Sequence, residues 1–268
     1  MISKAKIKFI HQLEHKKQRV QQQLFVAEGP KVVGDLIKKS TPRLVVALDS
    51  WLSSKHFDSS VEVCSVTDDE LRKVSFLQHP QDVVALFPIH DNEETLPNAS
   101  KELILALDGV QDPGNLGTII RIADWFGISH IVCSQTTADV YNPKVVQATM
   151  GALTRVRVHY TDVAERLKAV SSQHSDVRIY GTLLDGKDMY EELSAIRNQL
   201  SAEGSKLKAE SSIIIMGNEG NGISEEVRRL VTHPIRIPSY PKGAETSESL
   251  NVAIATAIVL AEFRRMES

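Results

Sequence analysis

ELILALDGVQDPGNLGTIIRIADWFG, residues 102–127, is the stretch whose reading decides the fold. Its opening, ELILALDG, is an apolar run of strand length. Asp112-Pro113-Gly114 is a turn signal, and a helical pattern follows over 115–126. A strand, a glycine-bearing loop and a helix in that order begin a strand–helix–strand unit. Such a loop often cradles a phosphate, but both familiar glycine spacings are missing. GNLG is G-x-x-G rather than G-x-G-x-x-G, and no Gly-Lys-Ser/Thr follows it. Arg121, a turn into the helix, has no part in a phosphate cradle.

The rhythm continues on both sides of this stretch. Downstream, HIVCS (130–134), RVRVHY (155–160), VRIYGTLL (177–184), SIIIMG (212–217) and PIRIP (234–238) read as strands. Helical patterns occupy 142–151, 161–172 and 224–231. The last segment, SLNVAIATAIVLAEFRR (249–265), is apolar on nearly every face and so requires burial on most sides. Repeated strand–helix units imply a mostly parallel sheet covered by helices. Upstream, residues 4–23 read as one polar, basic helix, and Phe25-Val26 is followed by a helical pattern through Val32, Val33, Leu36 and Ile37. LVVAL (44–48) and VEVCSV (61–66) read as buried strands, 68–75 as a short helix and VVALF (83–87) as another strand. PIHDNEETLPNASKE (88–102) carries two prolines and an acidic run without apolar periodicity, which marks a linker. The expected organisation is a small α/β domain over 1–90, a linker over 91–101 and a larger α/β domain over 102–268.

Composition narrows the function classes. No apolar run among the 268 residues reaches the length of a membrane span, and the basic N-terminus lacks the apolar core of a signal peptide. Cys64 and Cys133 are too few for a disulfide framework, so the chain reads as cytosolic. The nine histidines are scattered without metal-ligand spacing, and no metal site is expected. The formal net charge is −3, yet Lys4, Lys6, Lys8, Lys16, Lys17 and Arg19 face one acid, Glu14, between positions 4 and 19. That cluster is a candidate nucleic-acid footprint, with a solvated helix face as the alternative.

In open α/β sheets ligands bind at loops beyond the carboxyl ends of strands, and three loops qualify: 108–118, 217–223 and 238–249. The second, in IIIMGNEGNGIS, places Gly217, Gly220 and Gly222 within six residues. Ser224 can N-cap the following helix, with Glu225 and Glu226 at its positive end. Glu219 and the lack of a lysine disfavour a triphosphate there and suit a positively charged ligand. At the end of the third loop, Ser249 and Asn251 are polar residues at the mouth of an apolar helix. Capping by Ser249 explains the first and leaves Asn251 without a role.

Together, N-x-G-x-x-x-R (Asn115, Gly117, Arg121), G-N-E-G-x-G-I (217–223) and I-P…S-L-N-V (Ile237, Pro238, Ser249 to Val252) resemble the SpoU, or TrmH-type, branch of the SPOUT RNA methyltransferases. FVAEGPKVV (25–33) and HPQDVVALF (79–87) are similar to that family's small substrate-binding domain, which has an L30e-like fold. The resemblance implies S-adenosylmethionine-dependent methylation of a ribose 2′-hydroxyl in structured ribosomal or transfer RNA. It also implies a trefoil knot in the C-terminal domain and a homodimer. By motif, Arg121 and Asn115 are the expected catalytic residues, with Asn115 beside the arginine, either in one subunit or across the dimer interface. Gly217, Asn218, Glu219, Gly220, Ile237, Pro238, Ser249, Leu250 and Asn251 are the expected cofactor site. For Arg121 the competing role is a solvated helix arginine paired with Asp124. The competing functions are a non-catalytic RNA-binding protein on the same fold, base rather than ribose methylation, and a dehydrogenase-type enzyme weakened by the missing dinucleotide fingerprint.

Overall fold

The computed structural model describes residues 2–89, 102–174, 176–202, 212–241, 247 and 249–267. They fall into two compact units, Met1–Glu93 with Asp139–Thr154, and Glu94–Ala138 with Arg155–Ser268. The expected linker over 91–101 lies outside the described residues, as do 242–246 and 248 of the third loop.

In the first unit the elements are α1 (Lys4–Gln12), α2 (Lys16–Gln22), β1 (Leu24–Glu28), α3 (Pro30–Ile37), β2 (Leu44–Ala47), α4 (Asp49–Leu52), β3 (Glu62–Ser65), α5 (Asp68–Val74) and β4 (Val83–Pro88). The strands form a sheet of order β1-β4-β2-β3, antiparallel except for the β2–β3 pair. VEVCSV therefore differs from its expected burial. As β3 it is the edge strand, and Glu62, Val63 and Ser65 are exposed. Edge position is a property of strand order, which apolar content alone does not encode. Helix α5 starts where Thr67 and Glu70 form a reciprocal capping box.

Asp139–Thr154 belongs with this unit although it follows the second unit's first two strands in sequence. Its helix α7 (Pro143–Ala148) lies against β1. Val146 and Tyr141 join the cluster around Phe25, Val33 and Phe87, with the Phe25 and Tyr141 ring centroids 4.8 Å apart.

The single helix expected over 4–23 is broken after Gln12, and Arg19 supplies the reason. This residue is 2% exposed. Its guanidinium donates to the carbonyls of Leu13 (2.8 Å) and Glu14 (2.6 Å) at the break, and pairs with the Asp139 carboxylate. Helical continuation would turn those carbonyls along the helix axis and away from Arg19. Arg19→Met should therefore strand a carboxylate and two carbonyls, at a cost of about 3–5 kcal/mol. Urea unfolding measures this. A loss below about 1 kcal/mol, the range of exposed pairs, would show that the pair does not hold the segment.

In the second unit the order is β5 (Ile104–Asp108), α6 (Pro113–Trp125), β6 (His130–Cys133), β7 (Arg157–Tyr160), α8 (Val163–Gln173), β8 (Arg178–Asp188), α9 (Met189–Ala202), β9 (Ser212–Gly217), α10 (Glu225–Arg228), β10 (His233–Arg236) and α11 (Val252–Glu267). All paired strands run parallel, in the order β10-β8-β9-β5-β6-β7. The chain builds β6 and β7 on one side of β5, then crosses to place β8, β9 and β10 on the other. That reversal of direction sets the loops after β5 and β9 side by side, with Asp108 in register with Gly217. A crevice at such a point is where open α/β sheets take ligands.

Helix α11 packs on α6 and buries Val252, Ala253, Thr256, Val259, Leu260 and Phe263. Among the described residues Ile254, also on this helix, is 53% exposed. Among the described residues no helix is long and apolar enough to cross a membrane.

Candidate functional site

The sequence of the β5–α6 loop explains its shape. Asp112 is the N-cap of α6, accepting from the backbone N–H of Asn115 at 2.7 Å, and Pro113 occupies the first turn where its missing N–H costs nothing. Before the cap, Gly109 has φ +76°, a left-handed value that favours glycine. Its N–H donates to Ser134 Oγ and its carbonyl accepts from Asn218 Nδ2 at 2.7 Å. Asp108, at the carboxyl end of β5, accepts from the N–H of Ser224 at 2.8 Å.

The β9–α10 loop folds back on itself. Asn218 and Gly222 exchange two backbone hydrogen bonds (2.9 and 3.0 Å), and Asn218 Oδ1 accepts from the N–H groups of Gly220 and Asn221. Gly217 lies directly under this closure. A Cβ there would stand 2.3 Å from Gly222 C and 2.4 Å from Ile223 N. Ser224 takes the N-cap position of α10 but its hydroxyl makes no capping bond, and the Asp108 carboxylate binds the Ser224 N–H instead.

Asn251, unexplained by local sequence, is the cap of α11. Its Oδ1 accepts from the N–H groups of Ala253 (3.0 Å) and Ile254 (3.2 Å). Its Nδ2 donates to Asn115 Oδ1 at 2.9 Å, and Asn115 Nδ2 donates to Glu219 Oε1 at 3.0 Å. Glu219 also accepts from the N–H groups of Gln111 (3.3 Å) and Asp112 (3.4 Å). One side-chain chain thus joins all three loops. Of the remaining expected cofactor residues, Ile237 and Pro238 are half-buried, while Gly220, Ser249 and Leu250 are exposed.

Within one chain α6 does not set Asn115 beside Arg121. Six residues at 100° each place them about 120° apart around the helix, with about 9 Å of rise between them. Asn115 faces the other loops, whereas Arg121 is exposed. Pairing of Arg121 with Asp124 is also absent, because Arg155 holds Asp124 through two bonds of 2.8 and 2.7 Å. Among the described residues Arg121 forms no ion pair.

The basic cluster also changes. Lys4, Lys8, Lys16 and Lys17 are exposed. Arg19 is withdrawn from the list of phosphate donors by its burial against Asp139. Lys6 is paired with Glu62, which raises its pKa. Asp108 and Ser134 are participants that the motif reading missed. The available signal for Asp108 was a carboxylate at a strand's carboxyl end immediately before a glycine. Both cysteines are free; burial pushes the Cys133 thiol up, so it remains protonated.

Residues 102–261 match the SpoU rRNA Methylase family, and residues 4–85 match the MRM3-like substrate binding domain. The chain belongs to the SpoU rRNA methylase family. It is 30% identical to the 23S rRNA (guanosine(2553)-2′-O)-methyltransferase RlmP of Bacillus subtilis, over 97% of this chain and 96% of that one. It is similar to a solved structure of a putative TrmH-family RNA methyltransferase from Porphyromonas gingivalis, with 37% identity, 99% of each chain covered and a TM-score of 0.83. An AdoMet-bound rRNA methyltransferase from Sinorhizobium meliloti gives 28% identity, 99% and 96% coverage and a TM-score of 0.76. The SpoU match spans all three loops and the MRM3-like match covers the first unit's sheet up to Ala85, so both parts of the sequence resemblance stand.

Proposed function

We propose that this SpoU-family chain transfers the methyl group of S-adenosylmethionine to a ribose 2′-hydroxyl of a guanosine in large-subunit ribosomal RNA. The observation that carries this reading is the convergence of the three motif loops beyond β5 and β9, with an exposed arginine on the adjoining helix. The guanosine and the large-subunit RNA follow the names of two relatives, RlmP of Bacillus subtilis and the 23S rRNA (guanosine-2′-O-)-methyltransferase RlmB of Neisseria meningitidis.

The residues present suit the cofactor. Gly217 to Gly222 form a glycine loop closed on its own backbone so tightly that a Cβ at 217 would meet Gly222 C at 2.3 Å, no lysine or arginine lies between 217 and 223, and Glu219 supplies negative charge. Backbone groups of Gly217, Asn218 and Gly220, with Ile237, Pro238, Ser249 and Leu250, would hold it. When bound, S-adenosylmethionine supplies an electrophilic methyl group on a cationic sulfur. The remaining difficulty is a weakly acidic hydroxyl, which must be oriented while its oxygen gains negative charge. A guanidinium is not a base at any working pH, so Arg121 acts by donating hydrogen bonds to the ribose oxygen or the neighbouring phosphate. The hydroxyl proton passes to solvent.

The exposed lysines of α1 and α2 suit RNA phosphates, which makes binding weaken with salt. A homodimer is part of this reading. Leu250 and Ile254, at the start of α11, are 49% and 53% exposed, apolar side chains that a second copy would cover. Mapping 2′-O-methyl groups on ribosomal and transfer RNA, with and without this protein, tests the function. Loss of one large-subunit ribose methyl is expected. An unchanged map sinks the reading, and a lost base methyl replaces it with base methylation.

A further inference from the structure

The hydrogen bonds between Asn251, Asn115 and Glu219 have a fixed direction. Asn251 Oδ1 is occupied by two backbone donors of α11, so only its Nδ2 is available to Asn115. At the other end Glu219 is a carboxylate and can only accept, so Asn115 must turn its Nδ2 toward it. The two ends thereby determine both amide orientations. Asn115 is left with its Oδ1 and its Nδ2 both engaged by protein.

We propose that Asn115 and Glu219 are positioning residues, forming a directional relay that locks the first turn of α6 to the β9 loop and to the α11 cap. This inference rests on the methyltransferase reading. Arg121 sits on the same rigid helix as Asn115, so the placement of α6 against the β9 loop sets where the guanidinium stands relative to the donor. The neighbouring link from Asn218 to Gly109 joins the two loops at their bases and does not reach α6. Glu219 and Asn251 are exposed and Asn115 is half-buried, so water competes for these bonds and they add little to fold stability. Their consequence is geometric.

An isosteric exchange tests the relay. Asn115→Asp sets a second carboxylate against Glu219 and should lower kcat about 100-fold, as expected for a misplaced reacting group. The calorimetric Kd for S-adenosylmethionine and the unfolding temperature of the free protein should stay near wild type. Adding Glu219→Gln restores the donor–acceptor pairs of the relay, and only the long Asp112 N–H bond to Glu219 Oε1 (3.4 Å) is given up. The new amide at position 219 donates to the new carboxylate at position 115, and its oxygen faces Gln111 N–H. The carboxylate at 115 still accepts from Asn251. The double variant should recover kcat to within about tenfold of wild type. A double variant as inactive as Asn115→Asp, or a fully active Asn115→Asp, overturns the relay. Should Asn115→Asp fail to fold, the Asn115 side-chain amide protons of the wild type, followed by NMR without cofactor or RNA, give the answer. They should be slowed in exchange and released by Glu219→Gln; no change overturns the proposal. That readout stands apart from catalysis. Failure of the wild type to methylate RNA would remove the methyltransferase reading and leave the relay measured.

Discussion

Arg121→Ala is expected to abolish most methyl transfer while leaving cofactor affinity intact. The side chain is exposed, and among the described residues it forms no ion pair. Its removal therefore frees no buried partner and opens no cavity, and the unfolding temperature should not move. The loss falls on the step in which negative charge grows on the ribose oxygen. Deleting one donor aimed at such a charge costs about 10²–10³ in kcat. Arg121→Lys should recover only part of this, because an ammonium offers a point charge where the guanidinium offers a planar fork. Single-turnover methyl transfer, with calorimetric titration of S-adenosylmethionine, separates the two quantities. Equal activity in wild type and Arg121→Ala would remove this residue from the mechanism and return it to a solvated helix face.

The two residues expected to act as a catalytic pair illustrate what a linear sequence encodes. β5, α6 and β9 are legible because each depends on a local signal: an apolar run, an Asp-Pro cap, a glycine after a buried strand. The sequence also marks Asn115 and Arg121 as belonging to one motif. It does not say that they diverge around α6, which becomes evident only by counting turns from an observed helix start at Pro113. Nor does it say what Asn115 bonds to. Glu219 is more than a hundred residues away and reaches Asn115 because β9 inserts beside β5, a feature of strand order. Arg19 is the same case in the first unit. A basic residue in a basic segment reads as surface until Asp139, brought in with α7, appears as its partner. Asn251 was visible as an anomaly, a polar residue opening an apolar helix, and its capping role accounts for half of that anomaly while Asn115 accounts for the rest. The exposed Ile254 differs in kind: burial of α11 on most sides is what its composition suggests, and which side chain stays exposed is set by how the helix packs.

Gly217→Ala should eliminate cofactor binding, through backbone geometry alone. Gly217 carries no left-handed φ, so alanine is permitted by its own conformation, and the conflict is with what lies above it. The Cβ would meet Gly222 C at 2.3 Å, Ile223 N at 2.4 Å and Gly222 O at 2.7 Å. Main-chain atoms cannot rotate aside as a side-chain tip can. The nearest relief is to lift the closure in which Asn218 and Gly222 exchange their hydrogen bonds. Lifting it carries Glu219 and Gly220 with it, so the cradle opens and the relay to Asn115 is pulled at the same time. A shift of about 1 Å in a positioned group costs on the order of 100-fold, and here both affinity and turnover should suffer. β9 beneath the loop is buried and paired on both edges, so the sheet should survive. Calorimetric titration of S-adenosylmethionine against Gly217→Ala, with Gly220→Ala as the control, checks the argument. A Cβ at Gly220 meets only Asn218 Oδ1, at 3.6 Å, so that variant should bind nearly normally. If both variants bound the cofactor as wild type does, the β9 loop would not be the donor site, and the assignment of Gly217 to Gly220 would fall with it.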